Sequence, residues 1–306
     1  MVEGRPAIYG TAGPEDGLPL LFVHGWALGH HAYKRSLKRL AKMGVRVIAP
    51  ALPGFGGTAD LPRDQFSLGG FASWLRRFLD ELRLDEPAVV VGHSFGGGAA
   101  IMLAHDHPDC VRSLVLVNSI GGSAWKSSGR GVRSMADRPL WDWGLHFPSD
   151  ILPVPQITRV LPVVLEDLVP NLLRNPRAVW KVGQLARRAD LTPELEELKQ
   201  RGLPVVVLWG ADDHIIPRES FDALCAAIGA EGEVVEGNHS WLLADPDAFG
   251  EVLTNSVEVA RVARDMEQLE RQLGKRARRR RGVLGLARSA PRQLRSIQDA
   301  KPGDEA

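Results

Sequence analysis

The sequence predicts an α/β fold: a mostly parallel sheet flanked by helices and interrupted once by a helical insertion. Three observations predict it. Short apolar runs alternate with helical stretches between residues 18 and 235, as expected of parallel strands buried on both faces. One of these runs, Ala88–Val91, leads straight into Gly-His-Ser-Phe-Gly at 92–96 and a small-residue run through Ala100. Finally, the alternation stops over 121–200, a proline-rich stretch that holds Trp125, Trp141, Trp143 and Trp180.

Taken in order, strands are expected at Leu20–Val23, Val45–Ala49, Ala88–Val91, Leu114–Val117, Val205–Leu208 and Glu233–Val235. Each is short, apolar and bounded by Gly, Pro or polar residues. A helix is expected over Phe71–Leu84, because Phe71, Trp74, Leu75, Phe78 and Leu82 recur at helical spacing. That stripe is core, so Trp74 has no binding role. The segment before residue 18 has room for at most a small strand pair. Within 121–200 the pattern turns helical and apolar around Ile157–Leu173. The implied organisation is a core from 1–120 and 201–260, an insertion over 121–200, and a basic C-terminal helix and tail over 261–306.

Composition bounds the function. With 306 residues and 44% hydrophobic content, the chain can bury a large core. No apolar run reaches 18 residues, so no membrane span is expected, and the opening Met-Val-Glu-Gly-Arg-Pro does not read as a signal peptide. Cys110 and Cys225 suggest neither a disulfide framework nor a metal site, and a reducing cytoplasm fits. No dinucleotide fingerprint or Lys-terminated phosphate loop occurs. The Pro53–Gly57 loop is glycine-rich but lacks the Lys-Ser/Thr ending, so no cofactor is expected.

The net charge of +1 hides an asymmetry. Residues 261–306 carry 13 Lys/Arg against 6 Asp/Glu, a net of +7, which leaves residues 1–260 at −6. Val257–Leu273 can continue as an amphipathic helix, followed by the run Lys275–Arg281 and a short apolar patch. Three readings stay open: a solvated tail, attachment to an anionic membrane surface, and nucleic acid. The last is disfavoured because no aromatics interleave with the charges. The expected location is cytoplasmic, peripheral to a membrane if the second reading holds.

The strand–turn–helix at 88–100 is the feature that carries chemistry. Small residues at 92 and 96 let strand and helix approach closely around the bend. Ser94 then sits on a strained turn with its hydroxyl pushed out at the top of the sheet. A nucleophilic serine needs a base, and the base needs an acid that holds one tautomer. Both follow downstream: Asp212 and Asp213 after the strand at 205–208, and His239 after the strand at 233–235. All of these lie just past the C-terminal ends of expected strands, where open α/β sheets place their sites.

From these residues the chain resembles the α/β-hydrolase superfamily, in its cap-bearing serine hydrolase branch, over roughly residues 18–260. The blocks that carry the resemblance are Leu21–Trp26, Ala51–Thr58, the Ser94 turn, Leu114–Asn118, and the segments around Asp213 and His239. The resemblance implies a Ser94–His239–Asp213 triad. The family's spacing from glycine to acid to proline selects Asp213, with Asp212 as the alternative. Asn118 stands where some relatives carry the acid, and it cannot supply the charge.

The resemblance also implies an oxyanion hole from the backbone N–H groups of Phe95 and Trp26. It gives His24 a bracing role in the oxyanion loop, and it makes 121–200 a helical cap. The family's opening antiparallel hairpin is expected to be truncated. His93 is expected to pack under the bend, and His214 to be a loop residue.

Trp26, Phe95 and Trp241 are expected to line an apolar, aromatic pocket for a small hydrophobic substrate. The expected activity is hydrolysis of a carboxylic ester with a hydrophobic group. The alternatives are hydrolysis of a carbon–carbon bond or thioester by the same triad, and a slow-turnover receptor for a small ligand. Haloalkane dehalogenation and epoxide hydrolysis are disfavoured, because those branches use an aspartate where this chain has Ser94.

Overall fold

The computed structural model describes residues 1–84, 86–126, 132–138, 158–262, 264–266 and 269. The chain divides into two units, Met1–Ala260 and Arg261–Ala306. The second is described only at a few helical positions up to residue 269. The basic run at 275–281 lies outside the described residues, as do Trp141 and Trp143.

In the first unit a seven-stranded sheet is built from β1 (Tyr9–Ala12), β2 (Leu18–Val23), β3 (Val45–Pro50), β4 (Ala88–His93), β5 (Val111–Val117), β8 (Val205–Gly210) and β9 (Gly232–Val235). Their spatial order is β1-β3-β2-β4-β5-β8-β9. Only β1 runs antiparallel, pairing with β3 from Tyr9↔Pro50 to Ala12↔Val47. The remaining pairs are parallel. The N-terminal segment thus supplies a single edge strand.

The strands feed two hydrophobic layers by simple alternation. Leu21 and Val23 of β2, Val90 of β4 and Leu114 and Leu116 of β5 face one cluster, with Phe71, Phe78, Ile101 and Phe221. Leu20 and Phe22, Val89 and Val91, and Val115 and Val117 face the other, with Leu37, Leu40, Phe249 and Leu253. Sheets covered on both faces need apolar residues at every position, which is why these strands read as unbroken apolar runs.

The first layer is covered by α2 (Leu68–Glu81), α3 (Phe95–Asp106) and α7 (Arg218–Ile228), and the second by α1 (Lys34–Ala41) and a helix over 246–260. α2 begins three residues before its apolar stripe. Ser67 caps it, accepting from Gly70 N at 3.0 Å. A serine cap fixes a start that hydrophobic spacing alone does not mark.

Among the described residues between β5 and β8 lie a short hairpin, β6 (Ala124–Lys126) with β7 (Val132–Ser134), and three helices: α4 (Leu161–Arg174), α5 (Pro176–Arg188) and α6 (Thr192–Arg201). Pro176 and Asn175 mark the break between α4 and α5: Pro176 opens α5, and Asn175 caps it by accepting from Ala178 N. Leu195 and Leu198 of α6 are buried in the same cluster as α3 and α7. No described helix is long and apolar enough to cross a membrane.

Candidate active site

Ser94, Asn118, Asp213, His239 and the Gly25–Trp26 turn all follow the C-terminal ends of parallel strands, β4, β5, β8, β9 and β2. Ser94 joins β4 to α3 with φ 54° and ψ −119°. This is a backbone conformation that a residue with a Cβ rarely adopts, and it costs on the order of 1–3 kcal/mol. The surroundings over-determine it. Ser94 N donates to Val117 O at 3.0 Å, while Ser94 O accepts from Gly97 N at 2.9 Å. A Cβ at Gly96 would fall 2.2 Å from Val23 O, so only glycine lets α3 start this close to β2.

Of the two adjacent acids, Asp213 is buried and faces His239, whereas the Asp212 side chain is exposed. His239 Nδ1 lies 2.8 Å from Asp213 Oδ2. A carboxylate only accepts, so Nδ1 carries the proton and donates it. In a neutral ring Nε2 is then the unprotonated nitrogen. Asp213 Oδ1 accepts from the N–H groups of Ile215 and Ile216 at 2.8 and 2.9 Å, and Asn118 Nδ2 donates to Oδ2. The loop carrying these amides is clamped in turn. Arg138, almost fully buried, donates to His214 O and Ile215 O at 2.8 and 2.7 Å.

The other end of the site is built around Gly25. A Cβ there would lie 2.9 Å from His93 Nδ1 and 3.4 Å from Ser94 Cβ, so this turn passes directly against Ser94. His24 is fully buried; its Nδ1 donates to Gly25 O and its Nε2 accepts from Leu52 N, both at 2.8 Å. Burial pushes its pKa down to about 4, and a neutral ring suits one donated and one accepted bond. Phe95 N–H is the first amide of α3, with no partner in the helix's own ladder.

The expected lining residues divide. Trp26 is half-buried, and its indole N–H donates to Val179 O of α5 at 2.7 Å. Phe95 is fully buried, edge-on to Phe71. Trp241 is buried against Phe249 and donates its indole N–H to Asn118 Oδ1 at 2.8 Å, which puts it behind the acid. His93 is buried beneath the turn, and the His214 side chain is exposed.

Four contributors escape a reading of the sequence. Tyr33 is fully buried and bonds His93. Asp167 of α4 accepts from Gly29 N and Ala32 N, both at 2.9 Å. One helical turn on, Asn171 accepts from Gly56 N and donates to Ala27 O, each at 2.9 Å. Together Asp167 and Asn171 latch α4 onto the loop that follows Trp26. Arg138 is the fourth. A polar residue inside a helix's buried stripe, as at 167 and 171, is the one visible signal.

A serine on a strained strand–helix turn, a histidine backed by a carboxylate, and three parallel strands, β4, β8 and β9, delivering them define an α/β hydrolase. The model of the alpha/beta hydrolase family matches residues 20–252, and the chain belongs to that family. It is 40% identical over 221 residues to the 2-hydroxymuconate semialdehyde hydrolase of Pseudomonas sp. (strain CF600), covering 67% of this chain and 73% of that one. It is 38% identical over 240 residues to the magnesium-chelatase 30 kDa subunit of Rhodobacter capsulatus, covering 74% and 82%. Among solved structures, an esterase from Exiguobacterium antarcticum superposes with a TM-score of 0.67 at 22% identity, covering 84% of this chain and 97% of that one.

Proposed function

We propose that this chain is a serine hydrolase acting through Ser94, His239 and Asp213 on a carboxylic ester with a hydrophobic group. The observation that carries the reading is the 2.8 Å contact between His239 Nδ1 and Asp213 Oδ2, on loops that follow the same sheet edge as Ser94. In this reading His239 Nε2 takes the Ser94 proton as Oγ attacks the carbonyl carbon. Asp213 stabilises the imidazolium that forms. The N–H groups of Phe95 and Trp26 bind the developing oxyanion, helped at Phe95 by the positive end of α3. Collapse of the tetrahedral intermediate expels the alcohol, protonated by His239. Water then repeats the sequence to release the acid.

Helices α4 and α5 act as a cap over this edge. Side chains carry the attachment: Asp167 and Asn171 to the loop after Trp26, Asn175 at the α4–α5 junction to Asp60, and Trp26 itself to α5. Trp26 supplies apolar surface to the pocket, Phe95 contributes through its amide, and Trp241 supports Asn118 from behind.

Labelling with a fluorophosphonate, followed by a chain-length series of nitrophenyl esters, tests the reading. Label on Ser94 and a preference for longer acyl chains are expected. Absence of labelling removes the nucleophile and favours a ligand-binding role. A second reading, cleavage of a carbon–carbon bond by the same residues, is favoured by the relative at 40% identity, whose name gives a semialdehyde rather than an ester as what it hydrolyses. Strong labelling of Ser94, negligible turnover of every ester and cleavage of a carbon–carbon bond in a semialdehyde substrate would together select it.

A further inference from the structure

Beneath the Ser94 turn runs a chain of three buried hydrogen bonds that the hydrolytic chemistry does not itself require. Gly25 N–H donates to Tyr33 Oη at 3.2 Å. Tyr33 Oη lies 2.8 Å from His93 Nδ1. His93 Nε2 lies 3.0 Å from the main-chain oxygen of His239. The directions follow from the ends. A carbonyl can only accept, so His93 Nε2 carries the proton. His93 Nδ1 in a neutral ring then accepts, and Tyr33 donates to it while accepting from Gly25. Tyr33 is fully buried and His93 nearly so.

The two ends of this chain are the two halves of the site. Gly25 precedes the expected oxyanion donor Trp26, and His239 carries the expected base. Their separation is set by two rigid rings and three directional bonds. We propose that Tyr33 is a positioning residue for His239, acting through His93 to hold the base in register with the oxyanion loop; this rests on the serine hydrolase reading above.

The charge state of His93 agrees with the role. Burial and the neighbouring His239, with ring centroids 4.9 Å apart, push its pKa well below the ordinary value. A neutral His93 does not repel the imidazolium that His239 becomes during turnover.

Tyr33→Phe removes the hydroxyl and keeps the ring. The variant should lose about tenfold in kcat, and in the rate of fluorophosphonate labelling, because displacing a catalytic group by a fraction of an ångström costs on that order. KM should stay within about twofold, since no substrate contact is lost. His93→Gln should lose about as much. Combining the two should cost less than about twofold beyond the worse single variant, because both break one chain.

A Tyr33→Phe protein with a lowered melting temperature but wild-type kcat and labelling rate would reduce the chain to a structural one and overturn the proposal. So would losses that multiply in the double variant. Should Tyr33→Phe fail to fold, a His93→Gln protein with wild-type kcat and labelling rate overturns it equally. Wild-type protein that takes no label would sink the serine hydrolase reading, and the positioning role with it.

Discussion

Asn118 and His239 donate to the same oxygen of Asp213, Oδ2, while Oδ1 is saturated by two backbone amides of its own loop. Asp213 is therefore aimed from two directions. The Asn118 carboxamide is itself fixed, because its oxygen accepts from the Trp241 indole. The end of β5 thus carries a neutral amide that orients the carboxylate arriving from β8.

Asn118→Ala should lower both activity and stability. It withdraws one donor from Asp213 and leaves the buried Trp241 N–H without its acceptor, at about 1–3 kcal/mol. Asn118→Asp should be worse for activity, because it sets a second carboxylate against Asp213 and competes for His239. Denaturant unfolding and ester kinetics on both variants check this. An Asn118→Ala protein as stable as wild type would show that the Trp241–Asn118 bond contributes nothing.

Ser94→Ala should abolish ester hydrolysis and fluorophosphonate labelling, by about 10³-fold or more, with the circular dichroism spectrum unchanged. The hydrogen bonds that hold the turn are made by Ser94 main-chain atoms and survive the substitution. Retained turnover in a purified variant would place the nucleophile elsewhere.

The adjacent acids can be separated kinetically. Asp213→Asn removes the charge that stabilises the imidazolium, and its amide can present a donor to His239 Nδ1, which favours the wrong tautomer. A loss of about 10³-fold or more in kcat is expected. Asp212→Asn, at an exposed side chain, should leave kcat within about twofold. The opposite ranking would move the role to Asp212.

Much of this site is legible in the sequence because each principal residue is announced locally. Ser94 sits between an apolar run and a small-residue run, and Asp213 and His239 each follow a strand. The supporting residues are not announced, because their partners are distant in the chain. Tyr33 meets His93 across 60 positions, Trp241 meets Asn118 across 123, and Asp167 meets Gly29 across 138. Trp241 illustrates the difficulty. An aromatic two residues from a histidine reads as pocket lining, yet its ring is buried against Phe249 and its N–H serves Asn118. The end of α2 is misjudged for a related reason: the apolar stripe continues to Leu82, but the helix stops at Glu81 and Arg83 takes φ 51°.

The latch between α4 and the loop after Trp26 should be measurable on its own. Asp167→Ala leaves the N–H groups of Gly29 and Ala32 without their shared acceptor, at a cost of about 2 kcal/mol or more. Asp167→Asn keeps a carbonyl oxygen in the same place and should lose less. Ester kinetics should follow the same ranking, since the loop leads back to Trp26. Equal unfolding midpoints for the two variants would mean that the acceptor oxygen contributes nothing to the latch.

The buried His24 imposes a pH dependence on stability whose sign can be worked out. Its pKa falls from the ordinary value of 6.5 to about 4 on folding. Between these values the unfolded chain binds a proton at His24 that the folded protein does not. Stability from this group is therefore complete above about pH 6.5 and is lost as pH falls toward 4. Relative to pH 7.5, the loss at pH 5 should be about 2 kcal/mol from His24 alone. His93, shifted in the same direction by burial and by His239, should add to it. Urea unfolding at the two pH values measures the total, and His24→Gln isolates one part. The Gln side chain can still accept from Leu52 N but does not titrate, so the variant should be less stable than wild type at pH 7.5 and show a smaller drop on acidification. A His24→Gln protein with the wild-type pH dependence would mean that His24 takes up its proton equally in both states.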